Sequence, residues 1–137
     1  MMNNSFQPIQ LPDDDVEAAT GGGYVNKYET SLAIRLDLEA ALAYLFGGVS
    51  AILLIVLELK NDYVRFHAWQ SLLLFVSSLS TIVFLSLFSS FLSSLAFSLY
   101  ILSTVYLAYK AYLFSDSLDR FKFPYLGQIA ENWVDAE

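Results

Sequence analysis

The sequence predicts an all-α integral membrane protein with three transmembrane helices, a tight hairpin between the second and third, and a C-terminal amphipathic helix. The main observation is that residues 68–109, forty-two in a row, contain no Asp, Glu, Lys or Arg. One helix of that length would measure about 63 Å, roughly twice the hydrocarbon core of a bilayer, so the stretch must fold back once. Hydrophobic residues make up 56% of the chain, and the mean hydropathy is +0.51, more than a small water-soluble domain readily buries.

Residues 1–28 predict a disordered acidic tail. They are rich in Asn, Gln, Asp and Gly, and they have too little apolar surface to offset the entropy of ordering. The tail lacks the basic start and apolar core of a signal peptide, and it is acidic where a transit peptide is rich in Arg. Five acids lie in the first 29 residues, so much of the net charge of −7 belongs to this tail.

A transmembrane domain is predicted over residues 29–114. The first span covers about 40–57, eighteen uncharged residues between Glu39 and Glu58. The second covers about 68–88 and the third about 91–109, with the turn at Ser89 and Ser90. So short a connection makes the second and third spans antiparallel neighbours.

Residues 115–137 predict a polar linker followed by a short amphipathic helix. The apolar residues fall at helical spacing i, i+3, i+4, i+7 and i+8, and they are Leu126, Ile129, Ala130, Trp133 and Val134. The segment is too short to span a bilayer, so we expect it to lie on the membrane surface with Trp133 at headgroup depth. Docking on a partner protein, or fraying, is the alternative.

The cations indicate an orientation. Three spans place the loop 58–67 and the C-terminal segment on one side with five Lys and Arg residues, against Lys27 and Arg35 on the other. The positive-inside rule then predicts a cytoplasmic loop and C-terminus and an external or lumenal N-terminal tail, although an acidic leader more often stays cytoplasmic. Spans of 18 to 21 residues favour the ER or Golgi over a plasma membrane, if the source is eukaryotic.

The loop between the first two spans carries the densest group of ionisable and polar side chains, namely Glu58, Lys60, Arg65, His67 and Gln70. We interpret it as an interfacial polar cluster that fixes the depth of the helices, with Arg65 and His67 close enough to Glu58 to pair with it. The alternative is a pH switch or proton relay that uses His67, whose unperturbed pKa lies near neutrality.

Small residues recur every fourth position in two spans, as they do where membrane helices pack closely. The two rows are Ala43, Gly47 and Ala51 in the first span and Ser90, Ser94 and Ser98 in the third. We expect them to form helix-packing seams, within the monomer or between copies. The alternative is that the hydroxyls bond only to carbonyls of their own helix.

No residue pattern indicates an enzyme, and we expect none. The sequence has no Cys, and its one His lies at the rim of a span. No acid or base lies in mid-span for a hydrolase, pump or ion-coupled carrier. We find no metal-ligand cluster, no nucleotide motif and no basic patch, so no cofactor, metal, nucleotide or nucleic acid is expected.

Three segments carry a resemblance. They are residues 30–47, with Ala41-Leu-Ala-Tyr-Leu-Phe-Gly47; residues 58–71, with Val64-Arg-Phe-His-Ala-Trp-Gln-Ser71; and residues 110–131, with Phe123-Pro-Tyr-Leu-Gly-Gln-Ile-Ala-Glu131. Together they resemble a family of small, functionally uncharacterised three-span membrane proteins that is grouped with the import component of the chloroplast inner envelope. Because that family has no agreed biochemical activity, the resemblance implies a fold more than a function.

These observations favour a non-catalytic subunit or accessory factor of a membrane assembly, in protein transport or membrane organisation. Its expected partners are the lipid bilayer and either other membrane proteins or further copies of itself. The alternative is a small oligomeric channel or carrier with a polar path along the Ser-lined helix faces.

Overall fold

The protein is all-helical over the residues that the structure, a computed structural model, describes, which are 28–137. Five helices follow in order: α1 Leu36–Leu45, α2 Gly48–Leu57, α3 Asp62–Ser86, α4 Ser90–Leu113 and α5 Leu126–Ala136. The all-α prediction is confirmed, and no strand occurs between residues 28 and 137. The predicted disordered tail lies outside the described residues, except for Tyr28.

The prediction of three spans is wrong, because the first one is divided at Gly47. Helices α1 and α2 have ten residues each, about 15 Å at 1.5 Å per residue, which is half a bilayer core. Gly47 has a φ of +58°, a left-handed conformation that favours glycine. The ring of Phe75 packs so closely that a Cβ on Gly48 would lie 2.5 Å from its Cδ1. Hydropathy is continuous across this break, so the sequence pattern did not reveal it.

The two short helices fold back on each other, so that the start of α1 and the end of α2 lie together. The backbone N–H of Ser31 donates to Glu58 Oε2 at 2.6 Å, and the N–H of Leu59 donates to Ser31 Oγ at 3.2 Å. Near the turn, Ser50 Oγ donates to the carbonyl of Ala43 at 3.2 Å. The chain therefore enters along α1 and returns along α2 to the same end.

Helices α3 and α4 are the two candidate membrane spans. They contain 25 and 24 residues, about 37 Å and 36 Å of helix, which is enough to cross a bilayer. Residues 87–89 connect them, close to the predicted turn, and the N–H of Ser89 donates to the carbonyl of Leu85 at 2.9 Å. Helix α3 begins at Asp62, where Asn61 Oδ1 accepts from the N–H groups of Tyr63 and Val64.

Every charged residue between 28 and 137 lies in three segments that meet at one end of the hairpin. We call these segments, residues 28–39, 58–67 and 110–137, the polar end. Tyr28 Oη donates to the carbonyl of Asp116 at 2.9 Å, and Tyr63 Oη donates to the carbonyl of Ala111 at 2.8 Å. Residue 28 therefore lies at the same end as the C-terminal segment, whereas the predicted three-span arrangement separates them, because α1 and α2 return the chain instead of crossing. The side of the membrane on which the tail lies stays a prediction, because the tail precedes the described residues.

Helix α5 packs against the start of α3. Ala130 and Val134 are buried against Phe66, and the rings of Trp69 and Trp133 meet edge to face at a centroid distance of 5.0 Å. Ion pairs flank this contact, namely Arg65–Glu137, Arg120–Asp135 and Lys122–Glu131. Leu126 is half-buried, while Ile129 and Trp133 stay 39% and 44% exposed. Contact of these side chains with the membrane surface stays a prediction.

Candidate functional site

The polar end encloses a set of buried polar side chains, which we call the polar core: Glu39, Tyr44, Glu58, Asn61, His67 and Gln70. Its members come from α1, from the α2–α3 loop and from the first turns of α3. Buried polar groups are costly unless they are hydrogen-bonded. The hydrogen-bond partners of each group therefore indicate what the polar core can do.

Gln70 joins α3 to α1 and to the segment between α4 and α5. Its Oε1 accepts from the N–H of Phe123 at 2.9 Å, and that bond fixes which end of the amide is the oxygen. Its Nε2 donates to Tyr44 Oη at 2.9 Å and to the carbonyl of Phe121 at 3.2 Å. One side chain thus holds three parts of the fold together.

The orientation of Gln70 fixes the protons on its neighbours. Because Gln70 donates to Tyr44 Oη, the tyrosine proton is free to be donated to His67 Nδ1, 2.9 Å away. Nδ1 is then an acceptor, so the neutral imidazole carries its proton on Nε2. A second proton on the ring would displace the bond from Tyr44, so this geometry favours a neutral His67.

The His67 ring is enclosed by aromatic side chains. It lies edge to face against Tyr63 at a centroid distance of 4.6 Å and against Phe66 at 5.0 Å. Its Nε2 is buried and has no hydrogen-bond partner. The ring therefore lies inside the protein. The predicted interfacial anchor requires it to lie at the surface.

Glu58 is a buried carboxylate held by backbone amides. It accepts N–H bonds from Ser31 at 2.6 Å, Lys60 at 2.8 Å and Asn61 at 2.9 Å. Burial raises the pKa of Glu58, but these three hydrogen bonds to the charged form outweigh it and lower the pKa below its usual value. Glu58 thus closes the α1–α2 pair as an ionised group.

Glu39 lies beside Glu58 in the first turn of α1, outside both spans. Its side chain is 0% exposed, and neither carboxylate oxygen receives a hydrogen bond from a donor. Burial, together with the neighbouring Glu58 carboxylate, raises the pKa of Glu39 to about 8. At neutral pH Glu39 is therefore mostly a neutral acid.

The structure divides the predicted interfacial cluster. Glu58, His67 and Gln70 belong to the polar core, whereas Lys60 Nζ pairs at the surface with Glu29 Oε1 at 2.7 Å. Arg65 pairs with Glu137 and not with Glu58. Among residues 28–137, no group of three His, Cys, Asp or Glu side chains is placed to hold a metal ion.

Sequence reasoning missed Glu39 and Tyr44 as members of the polar core. In the sequence, Glu39 marks only the start of the first predicted span, and Tyr44 lies within that apolar span. One signal was present, since Glu39 lies four residues before Ala43 and Tyr44 lies four residues after Ala40, which places all of them along one side of α1. That face is buried.

The two rows of small residues have different surroundings. Ala43 and Ala51 are fully buried, and a Cβ on Gly47 would lie 2.9 Å from Tyr100 Oη and 3.2 Å from Phe75 Cδ2, so the first row packs inside the monomer. The second row faces outward, because Ser90, Ser94 and Ser98 are all exposed. Ser98 Oγ donates to the carbonyl of Ser94 at 3.0 Å, a bond within its own helix.

Relatives place this architecture in a family. A UPF0132 membrane protein of Methanocaldococcus jannaschii is 39% identical to this chain, and the match covers 77% of the chain and 94% of the relative. The chain belongs to the UPF0132 family. A UPF0132 membrane protein of Archaeoglobus fulgidus is 31% identical over 74% of the chain and 97% of its own length. A second M. jannaschii protein of that name is 29% identical over 75% of the chain and 73% of its own length.

The UPF0132 name supports a membrane protein, in agreement with the two apolar spans α3 and α4. No family model and no solved structure matches the chain. These relatives are archaeal, so they give no support to an ER or Golgi location or to the relation with the chloroplast import component. The names of these relatives state that they are membrane proteins, and they state no activity.

Proposed function

We propose that this UPF0132 protein is a non-catalytic subunit or accessory factor of a membrane assembly. The observation that carries the proposal is the contrast between its two ends. The polar core is enclosed and largely occupied by bonds within the chain, whereas the hairpin presents bare apolar faces, including Val83, Phe84, Leu95, Phe97 and Leu102. In such a molecule, the surface that is available to bind a partner protein lies within the membrane.

The row Ser90, Ser94 and Ser98 is the part of that surface best suited to a protein neighbour. Helices in lipid have no hydrophobic reason to associate, and small residues let two backbones approach closely. Because this row is exposed in the monomer, a partner helix can reach it. An oligomeric channel lined by the same hydroxyls is the second candidate function, and the same exposure favours it.

The absence of catalysis is part of the proposal. Its support is that His67 Nδ1 is engaged by Tyr44, and that Gln70 is held by backbone groups on both sides of its amide. A general base must reach a substrate proton within hydrogen-bond distance, and the imidazole is enclosed by Tyr63 and Phe66. A role in protein transport, as opposed to membrane organisation, has only the sequence resemblance in its favour.

We further propose that the polar end faces the cytoplasm. Its described residues include six Lys and Arg side chains, while residues 68–109 contain none. The positive-inside rule assigns the end with the cations to the cytoplasm. With the chain returned by α1 and α2, this orientation now applies to residue 28 and residue 137 together.

Crosslinking from Ser94→Cys tests the proposed contact, because the native chain has no cysteine. In native membranes we expect this variant to crosslink to a different protein that co-purifies in a fixed ratio, with the thiol shielded from water-soluble maleimide. Leu99→Cys is the matched control: it is exposed on α4, but five residues further along it points to another face, and it should crosslink weakly.

Two outcomes contradict the accessory-factor proposal. Crosslinks between copies of this chain, combined with a water-accessible thiol, indicate the oligomeric channel instead. Equal crosslinking from Ser94→Cys and Leu99→Cys indicates random collisions in the membrane and no specific partner at the serine row.

A further inference from the structure

Two buried carboxyl groups face each other where α1, α2 and the segment before α1 meet. Glu39 and Glu58 are both 0% exposed, and the neighbouring Glu58 carboxyl adds to the effect of burial in raising the pKa of Glu39. The Glu58 oxygens are occupied by three backbone N–H groups, whereas both Glu39 oxygens lack a donor. Two adjacent buried carboxylates without a cation are strongly unfavourable, so one of them must bind something positive.

We propose that Glu39 and Glu58 form a proton-binding site, in which one proton carried by Glu39 is donated to the Glu58 carboxylate and holds the α1–α2 pair closed. The proton gives Glu39 the donor that it lacks, and it removes one of the two negative charges. Glu58 is the acceptor because its three backbone N–H partners stabilise the ionised form. The hydrogen bond joins the first turn of α1 to the end of α2, at the end of the pair opposite the turn at Gly47.

The other charged groups around this junction are engaged elsewhere. Lys60, next to Glu58, extends to the surface and pairs with Glu29, and Arg35 pairs with Asp37 at 2.8 Å. From α3, His67 is bonded to Tyr44, and from α4, Lys110 lies over aromatic rings. The charged group that acts directly on the Glu39 carboxyl is Glu58. The nearby Thr30 hydroxyl has the smallest effect on the pKa of Glu39, and it donates to the carbonyls of Leu32 and Ile34.

The proton site makes this junction sensitive to alkaline pH. The folded pKa of Glu39, about 8, lies above its unfolded value of 4.5, so the folded state binds the extra proton between these two values. The stabilisation is complete below pH 4.5 and is lost as the pH rises through about 8. Above that pH two carboxylates face each other, and the segment that Glu58 holds through Ser31 should loosen.

Glu39→Gln tests the site, because the amide donates a similar hydrogen bond to Glu58 and does not titrate. In detergent, the wild-type thermal midpoint should fall by about 5 °C between pH values about two units below and one unit above the Glu39 pKa of about 8. The Glu39→Gln midpoint should stay constant over the same range. Asp116→Asn, which removes an exposed acid of the polar end, is the control and should keep the wild-type decrease.

Infrared spectroscopy of the wild-type protein gives a second test that needs no stable variant. The C=O band of one protonated carboxylic acid should be present at neutral pH and vanish above the Glu39 pKa, while hydrogen exchange at the Ser31 and Asn61 amides accelerates. A midpoint independent of pH, or a Glu39→Gln variant that still follows the wild-type curve, overturns the proposal. So does a midpoint that rises with sodium chloride but not with choline chloride, without the acid band, since the site then holds a metal cation.

Discussion

Gln70→Ala is expected to lower the free energy of unfolding in detergent by roughly 3 kcal/mol. The substitution leaves the N–H of Phe123 and the carbonyl of Phe121 without their partner and removes the donor that orients Tyr44 Oη. Each buried polar group left unpaired costs about 1–3 kcal/mol, and several are affected at once. A shift of the thermal midpoint, followed by size-exclusion chromatography, measures the loss.

Gln128→Ala is the matched control for that prediction, because Gln128 is an exposed residue of α5. It should leave the midpoint close to that of the wild-type protein. Should Gln70→Ala prove as stable as Gln128→Ala, the network around Tyr44 and His67 does not hold α1, α3 and the α4–α5 segment together.

Gly47→Ala is expected to destabilise the protein by about 2 kcal/mol or more. With φ +58° and ψ −134°, Gly47 has a backbone conformation nearly restricted to glycine. It costs a residue with a Cβ about 1–3 kcal/mol, and the new Cβ would also lie 2.9 Å from Tyr100 Oη. A continuous span through residue 47 predicts the opposite sign, because replacing Gly by Ala inside a helix stabilises it by about 1 kcal/mol. The same thermal measurement therefore distinguishes a folded-back pair from a third span.

The double variant Gly47→Ala with Tyr100→Phe separates the two causes. Removing the tyrosine hydroxyl relieves the close contact but leaves the left-handed backbone, so we expect partial recovery of the midpoint. Leu45→Ala, at a residue 63% exposed on α1, controls for general effects of a substitution near the turn. A Gly47→Ala variant more stable than the wild-type protein contradicts the break.

The sequence was sufficient for the hairpin but not for the first helical pair. The hairpin follows from forty-two uncharged residues, a length that no single span can hold. The break at Gly47 depends on backbone conformation, and a Gly-Gly pair in an apolar stretch is equally compatible with close packing of a straight helix. Hydropathy therefore predicts three spans, whereas the structure has two candidate spans.

The polar residues were found, but their surroundings were not. Glu58, His67 and Gln70 stand out in the sequence because they flank apolar stretches, and such positions are usually interfacial. Their burial depends on α1 folding over the start of α3 and on residues 121–123 closing over Gln70. These are contacts between residues more than twenty positions apart, which local patterns do not report.

Labelling of single cysteines in sealed, right-side-out vesicles tests most directly the claim that the chain turns back at Gly47. Glu29→Cys and Asn132→Cys introduce thiols at exposed positions near either end of residues 28–137, and Phe88→Cys introduces one at the exposed hairpin turn. With a membrane-impermeant maleimide, the account predicts that Glu29→Cys and Asn132→Cys behave alike and that Phe88→Cys shows the opposite accessibility. Labelling of Glu29→Cys and Asn132→Cys from opposite sides of the membrane would contradict it and restore a third span.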